Sequence, residues 1–379
     1  MAAPDVIALT QALLRLDSIN PPGRERECAH HVGALLEAAG CAVRYLEFDT
    51  ARTCVVARIG GRSDALPLCL SGHLDTVPLG TLPWTHDPFA GEIDGERLYG
   101  RGSSDMKAGV AAIVAVVLEL APRLHATAGL EIVLTAGEEQ GCMGSAFLAR
   151  TPDALGRAGA IVIAEPTANR PYVGHKGIFK FHAVTRGVAA HASRPELGDN
   201  AIHKAADAVG RLRRYGFCCR PHPVMGLPTL NIGTIEGGQN INSVPDRCTL
   251  GVDIRTVPGL DHEALRADLA RTLGPEVELR LVNDMPPVWT EPDLAWVQRV
   301  FALSARVLGE HPPVQTLTAY TDAGSLRRGY AGAAGAPPTV VLGPGEPELA
   351  HVVDEYCLRW RVEQGVEILR DIVCDWCGL

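Results

Sequence analysis

The chain has 379 residues, of which 46% are hydrophobic and 21% charged, enough for two globular domains with sizeable cores. Its formal net charge of −9 argues against nucleic acid and anionic membranes as partners, and leaves open the local charge of a substrate cleft. The run Met1-Ala2-Ala3-Pro4-Asp5 lacks the pattern of a secretion signal, and the longest apolar stretch, 108–118, is too short to span a bilayer. The eleven cysteines form no framework spacing and read as reduced thiols, so a cytoplasmic protein is expected. Cys374 and Cys377 form a lone CxxC and read as small hydrophobes on a C-terminal helix.

The first part of the chain alternates helix and strand. Val6, Leu9 and Leu13 mark the apolar face of one helix, and Val32, Leu35 and Leu36 that of a second. Strands are predicted over 53–59 and 66–70, then a buried helix over 107–120. A strand over 130–136, a short helix near 144–149 and a buried strand over 160–164 follow. Such alternation implies a mixed or parallel sheet covered on both faces. The middle differs: strands at 178–185, 230–235 and 248–255 and helices at 200–213 and 261–272 follow the β-α-β-β-α-β order of a ferredoxin-like unit. Helix, strand and helix return at 294–308, 339–342 and 355–374, and the Ala/Gly-rich stretch 330–336 reads as a loop. The expected architecture is thus an α/β domain from 1–176 and 288–379, interrupted by an inserted α+β domain over 177–287. Lys176-Gly177 stands at the expected hinge.

Acids and histidines recur in Gly- or Pro-containing turns just after predicted strands, where sites gather in open α/β sheets. Ser71-Gly72-His73-Leu74-Asp75-Thr76-Val77-Pro78 offers His73 as an imidazole ligand, with Asp75 two residues on to orient it. Gly100-Arg101-Gly102-Ser103-Ser104-Asp105-Met106-Lys107 places Asp105 before the apolar helix, and one carboxylate can bridge two cations. Glu138 and Glu139 repel each other at a strand end unless cations are present, which suggests one metal ligand and one general base. Glu165, in Ala164-Glu165-Pro166-Thr167, and His351, after Gly343-Pro344-Gly345, complete the set. Any one of these is commonly a polar loop residue; two histidines and three carboxylates together form the donor set of a two-metal hydrolase. Thiolates are lacking beside these positions, which argues against a structural zinc.

These motifs resemble the zinc metallopeptidase family of aminoacylase, acetylornithine deacetylase, succinyl-diaminopimelate desuccinylase and the glutamate carboxypeptidases. The likeness rests on Gly72–Pro78, Gly100–Lys107, Glu138-Glu139, Glu165-Pro166-Thr167 and His351, and covers essentially the whole chain. The resemblance implies that Asp105 bridges two zincs, which cobalt can replace, with His73 and Glu165 at one and Glu139 and His351 at the other. It implies that Asp75 orients His73, and that Glu138 takes a proton from the bridging water and passes it to the leaving amine. It also implies that the inserted domain is a lid that dimerises. His191, in Val188-Ala189-Ala190-His191-Ala192-Ser193, would then stabilise the oxyanion in the partner subunit's site. Asn242, in Asn242-Ser243-Val244-Pro245, and Arg255, in Asp253-Ile254-Arg255, match positions that bind substrate and its carboxylate. Gly324, in Thr321-Asp322-Ala323-Gly324, would lie in a loop lining the substrate pocket.

Glu rather than Asp at position 165 accompanies deacylases and carboxypeptidases in the family, which points to an N-acyl amino acid as substrate. Trp84–Phe89, Asp253–Gly259 and Leu342–Gly345 resemble acetylornithine deacetylase most, whereas Tyr320–Ser325 is nearer the desuccinylases. A carboxypeptidase or dipeptidase of the same fold is the alternative, since it would share every ligand. A non-catalytic binding protein is disfavoured because Glu138 and all five ligands are present. A dinucleotide-binding reading of Gly100-x-Gly102 fails because Asp105 takes the place of the third glycine.

Overall fold

The computed structural model describes residues 5–61, 64–332 and 335–379. The opening residues 1–4 and, within the expected loop 330–336, residues 333 and 334 lie outside that set. The chain divides into two compact units. The first comprises Met1–Gly174, Trp289–Gln315 and Thr321–Leu379; the second comprises His175–Val288 and Thr316–Tyr320. The short return 316–320 is a feature that no residue pattern signals.

The first unit is built on a mixed sheet. Six of its strands run in the order Ala42–Asp49, Arg52–Ile59, Leu130–Thr135, Leu68–His73, Ala160–Ile163, Thr339–Val341. The last four are mutually parallel, and the first two are antiparallel additions at one edge. The parallel strands are buried along their whole length, as expected of continuous runs such as Leu130-Glu131-Ile132-Val133-Leu134-Thr135. Ala42–Asp49 has no counterpart in the sequence reading. It is a half-exposed edge strand, and Arg44, Glu47 and Asp49 break its apolar signal.

Helix Ala108–Leu124 is apolar on nearly every side and is buried accordingly, against Val6–Leu14 and Arg359–Cys377. It runs past the expected end at 120 and carries Pro122 within its last turn. It also lies very close to the end of strand Ala160–Ile163: a Cβ on Gly109 would stand 2.1 Å from the Ala164 carbonyl oxygen, so only glycine fits.

The second unit is a four-stranded antiparallel sheet in the order Thr229–Gly237, Arg247–Thr256, Gly177–Arg186, Val277–Met285. With helices Ala201–Arg213 and His262–Leu273 it has the ferredoxin-like β-α-β-β-α-β topology. Asn200 and Asp261 cap the two helices by accepting from their first free amides. Their apolar faces, with Ala205, Ala208, Leu265 and Leu269, close on Phe179, Phe181, Leu250 and Ile254 of the sheet. No helix among the described residues is long and apolar enough to cross a membrane.

Candidate metal centre

Strand Leu68–His73 extends three residues beyond its expected end, and His73 is its last residue, paired with Thr135 on the parallel neighbour. The turns after these strands therefore open on the same edge of the sheet. The His73 ring is buried. Its Nδ1 lies 2.9 Å from the carbonyl oxygen of Asp75, and its Nε2 lies 3.0 Å from Asp105 Oδ1 and 3.8 Å from Glu165 Oε2. A ring that gives its Nδ1 proton to a carbonyl presents the Nε2 lone pair to the site.

The Asp75 carboxylate is otherwise engaged. It stands 3.6 Å from the ring nitrogen and accepts from Asn20 Nδ2 at 2.8 Å and from the amides of Glu138 and Glu139 at 3.1 Å each. Orientation of His73 thus runs through the backbone of Asp75, while its side chain holds the glutamate turn. That turn needs Gly137 at φ +77°. Asn20 escaped the sequence reading because Asn20-Pro21-Pro22 carries only a turn signal.

Asp105 presents one oxygen to each histidine: Oδ1 to His73 and Oδ2 to His351 Nε2, at 3.3 Å. His351 Nε2 is also 3.0 Å from Glu139 Oε2. Asp105 consequently sits between two groups, His73 with Glu165 and His351 with Glu139. Donor atoms within 4.8 Å of one another form two overlapping clusters, His73–Asp105–Glu139 and His73–Glu138–Glu165. Hydrogen bonds to Asp105 and Glu139 push the His351 imidazole up to about 10.

Burial, then repulsion from Glu165, holds the Glu138 carboxyl well above its ordinary range; burial does the same to Glu165. Acids that crowd each other out of solvent lack positive charge, and cations supply it. The donors are imidazole nitrogen and carboxylate oxygen, the chemistry of zinc and related divalent ions, and the residues present fit such a pair. Two further buried groups flank Glu138. Cys142 Sγ donates to Glu138 Oε1 at 3.5 Å, and Asp322 accepts from Thr135 Oγ1.

The other expected site residues divide between the units. Gly324 is buried in the first turn of helix Ala323–Tyr330, not in a loop. His191, Asn242 and Arg255 belong to the second unit. His191 pairs with Ser243 in an isolated bridge, and Asn242 accepts from Ala192 N–H at 3.0 Å, so the first two are neighbours. Arg255 lies two residues along its strand from Asp253 and donates to both carboxylate oxygens, at 2.9 and 3.2 Å.

Residues 69–375 match the sequence profile of peptidase family M20/M25/M40. The chain belongs to this family. It is 28% identical over 400 residues to a probable succinyl-diaminopimelate desuccinylase of Staphylococcus epidermidis, covering 97% of this chain and 96% of the relative. It is 32% identical over 332 residues to acetylornithine deacetylase of Klebsiella pneumoniae, covering 82% and 80%. In fold it is similar to an M20 family metallo-carboxypeptidase of Sulfolobus solfataricus, with TM-score 0.80 at 18% identity over 99% and 100% of the two chains. A dinuclear metal binding peptidase of Bacillus subtilis gives TM-score 0.72 at 16% identity over 98% of each chain. As an M20 member the chain is a metal-dependent hydrolase, and its acid–imidazole cluster is a candidate for the metal-binding region.

Proposed function

We propose that this M20 hydrolase removes an N-acyl group from an amino acid with a free carboxylate, in the manner of acetylornithine deacetylase or succinyl-diaminopimelate desuccinylase. The observation that carries the reading is the convergence of His73, Asp105, Glu139, Glu165 and His351 around Asp105, with Glu138 beside them as an acid the ligand set does not need. Two divalent ions bound there, zinc with cobalt as a substitute, would polarise the amide carbonyl and bring a water's pKa toward neutrality. Glu138 takes the proton of the attacking water and hands it to the leaving amine nitrogen. Asp75 keeps Glu138 and Glu139 in register with His73. His191 donates to the developing oxyanion, as part of a homodimer in which the inserted unit of one chain completes the site of the other. Arg255 and Asn242 hold the substrate carboxylate and neighbouring polar groups, with Asp253 orienting the guanidinium through its two carboxylate oxygens. All eleven cysteines stand as free thiols, in keeping with a cytoplasmic enzyme.

The test is amine release from a panel that includes N-acetyl-ornithine, N-succinyl-diaminopimelate and dipeptides, with added zinc or cobalt and again with chelator. Chelator-sensitive cleavage of one N-acyl compound far above the rest is the expected result. Cleavage of dipeptides alone would replace this reading with a peptidase of the same fold.

A further inference from the structure

A further buried carboxylate, Glu355, lies four residues beyond His351 and outside the ligand set. It is fully enclosed. Its Oε2 accepts from Arg101 Nη1 at 2.6 Å and from Gly102 N–H at 3.0 Å. Its Oε1 accepts from the amides of Ser104, at 2.8 Å, and Asp105, at 3.0 Å. The carbonyl of Glu355 accepts from Gly100 N–H at 2.9 Å. One residue therefore receives five donors from the turn that delivers the bridging aspartate.

That turn needs an external template. Gly102 has φ +87°, and Asp105 and Met106 depart from helical dihedrals within Ser103–Lys107, which has no side-chain cap of its own. A regular helix would fix such a segment by its own hydrogen bonds; here the amides point at Glu355 instead. Ser104 adds a second tie, its Oγ donating to the Tyr356 carbonyl at 2.9 Å and accepting from Glu346 N–H at 3.1 Å. The 101–105 turn is thus fastened to the 346–356 segment, which carries His351. The two segments hold Asp105 Oδ2 and His351 Nε2 3.3 Å apart.

We propose that Glu355 is a positioning residue of the metal centre: by templating the 101–105 turn on the segment that bears His351, it sets Asp105 between the two cations. The inference rests on the two-metal reading above. Were Glu355 only half of a buried ion pair with Arg101, its loss would lower stability and leave the centre of the folded protein unchanged.

The experiment uses the full chain, stripped of metal, as wild type, Glu355→Gln and Glu355→Asp. Each is titrated with Co²⁺ while the visible d–d bands are recorded, each metal equivalent is ranked by chelator competition, and the metal-free melt is measured in parallel. Gln offers one acceptor oxygen and turns its NH₂ toward two of the donors; Asp keeps the charge but falls short by a methylene. Wild type should take up two equivalents. In the folded Gln variant one equivalent should weaken by about tenfold or more, with altered cobalt bands, and the Asp variant should fall between. Folded variants that load both equivalents at wild-type affinity with unchanged bands would overturn the proposal. So would failure of both variants to fold at saturating Co²⁺, which assigns Glu355 to the scaffold alone. Fewer than two equivalents in wild type would sink the two-metal reading itself, a result visible before any variant is examined.

Discussion

Glu138 and Glu139 are adjacent in sequence and are held by the same carboxylate, yet their surroundings differ. Glu139 faces His351 and Asp105, and Glu138 faces Cys142 and the buried side of the cluster. Glu138→Gln should therefore keep its metal, measured by atomic absorption, and lose about 10²–10⁴-fold in kcat. A variant with wild-type turnover would remove Glu138 from the chemistry. Asp75→Asn tests the support beneath it. An amide there turns an NH₂ toward groups that are themselves donors, the Glu138 and Glu139 amides and Asn20 Nδ2. The expected loss is about 1–3 kcal/mol in chemical denaturation. Arg255→Ala should raise KM for a carboxylate-bearing substrate roughly ten- to a hundredfold while kcat changes less, the signature of lost ground-state binding. The donors themselves were legible in the sequence because His, Asp and Glu in glycine turns after apolar strands are rare enough to stand out. Asn20, Asp322 and Glu355 were not, since a polar residue that hydrogen-bonds a turn looks like any loop residue until the chain is folded.

At the level of elements, the parallel strands and the helix Ala108–Leu124 could be read because both are buried on all sides and so are apolar throughout. Short elements and edge strands were the ones missed or mislocated, the largely buried strand Tyr172–His175 among them. The edge strand Ala42–Asp49 alternates with charged residues, and Ala323–Tyr330 carries Gly324 and Ser325 in its first turn, weaker helix formers that tertiary packing overrides. The β-α-β-β-α-β order was readable from five of its six elements; the last, Val277–Met285, is exposed along most of its length. The close approach of the central helix to the Ala164 carbonyl gives a clean test of this packing. A Cβ on Gly109 meets backbone rather than a flexible side chain, so Gly109→Ala should cost about 1–3 kcal/mol, read as a lowered melting temperature. An unchanged melt would mean that helix and strand can separate without penalty.

For the whole molecule, the second unit carries a disproportionate share of the large exposed hydrophobics. Nine of the sixteen large exposed hydrophobics among the described residues fall in it, with Ile235 57% exposed and Ile241 fully so. Such surface is what a self-association face presents. Sedimentation should give twice the 40.3 kDa chain mass, and Ile235→Asp with Ile241→Asp should shift it toward the monomer with loss of activity. A fully active monomer would remove His191 from the partner's site.

The strand order has a consequence for how the enzyme comes into being. Thr339–Val341 pairs with Ala160–Ile163 at the heart of the first sheet, yet it is made after the entire second unit, and His351 follows it. On the ribosome, four of the five proposed ligands emerge early, on a sheet that still lacks an interior strand. The ferredoxin-like unit, continuous over most of its length, can fold while the first unit waits. With His351 as the proposed fifth ligand, the acid-rich pocket would stay half-built for much of synthesis, and hydrolytic competence would arrive only when the late segment docks.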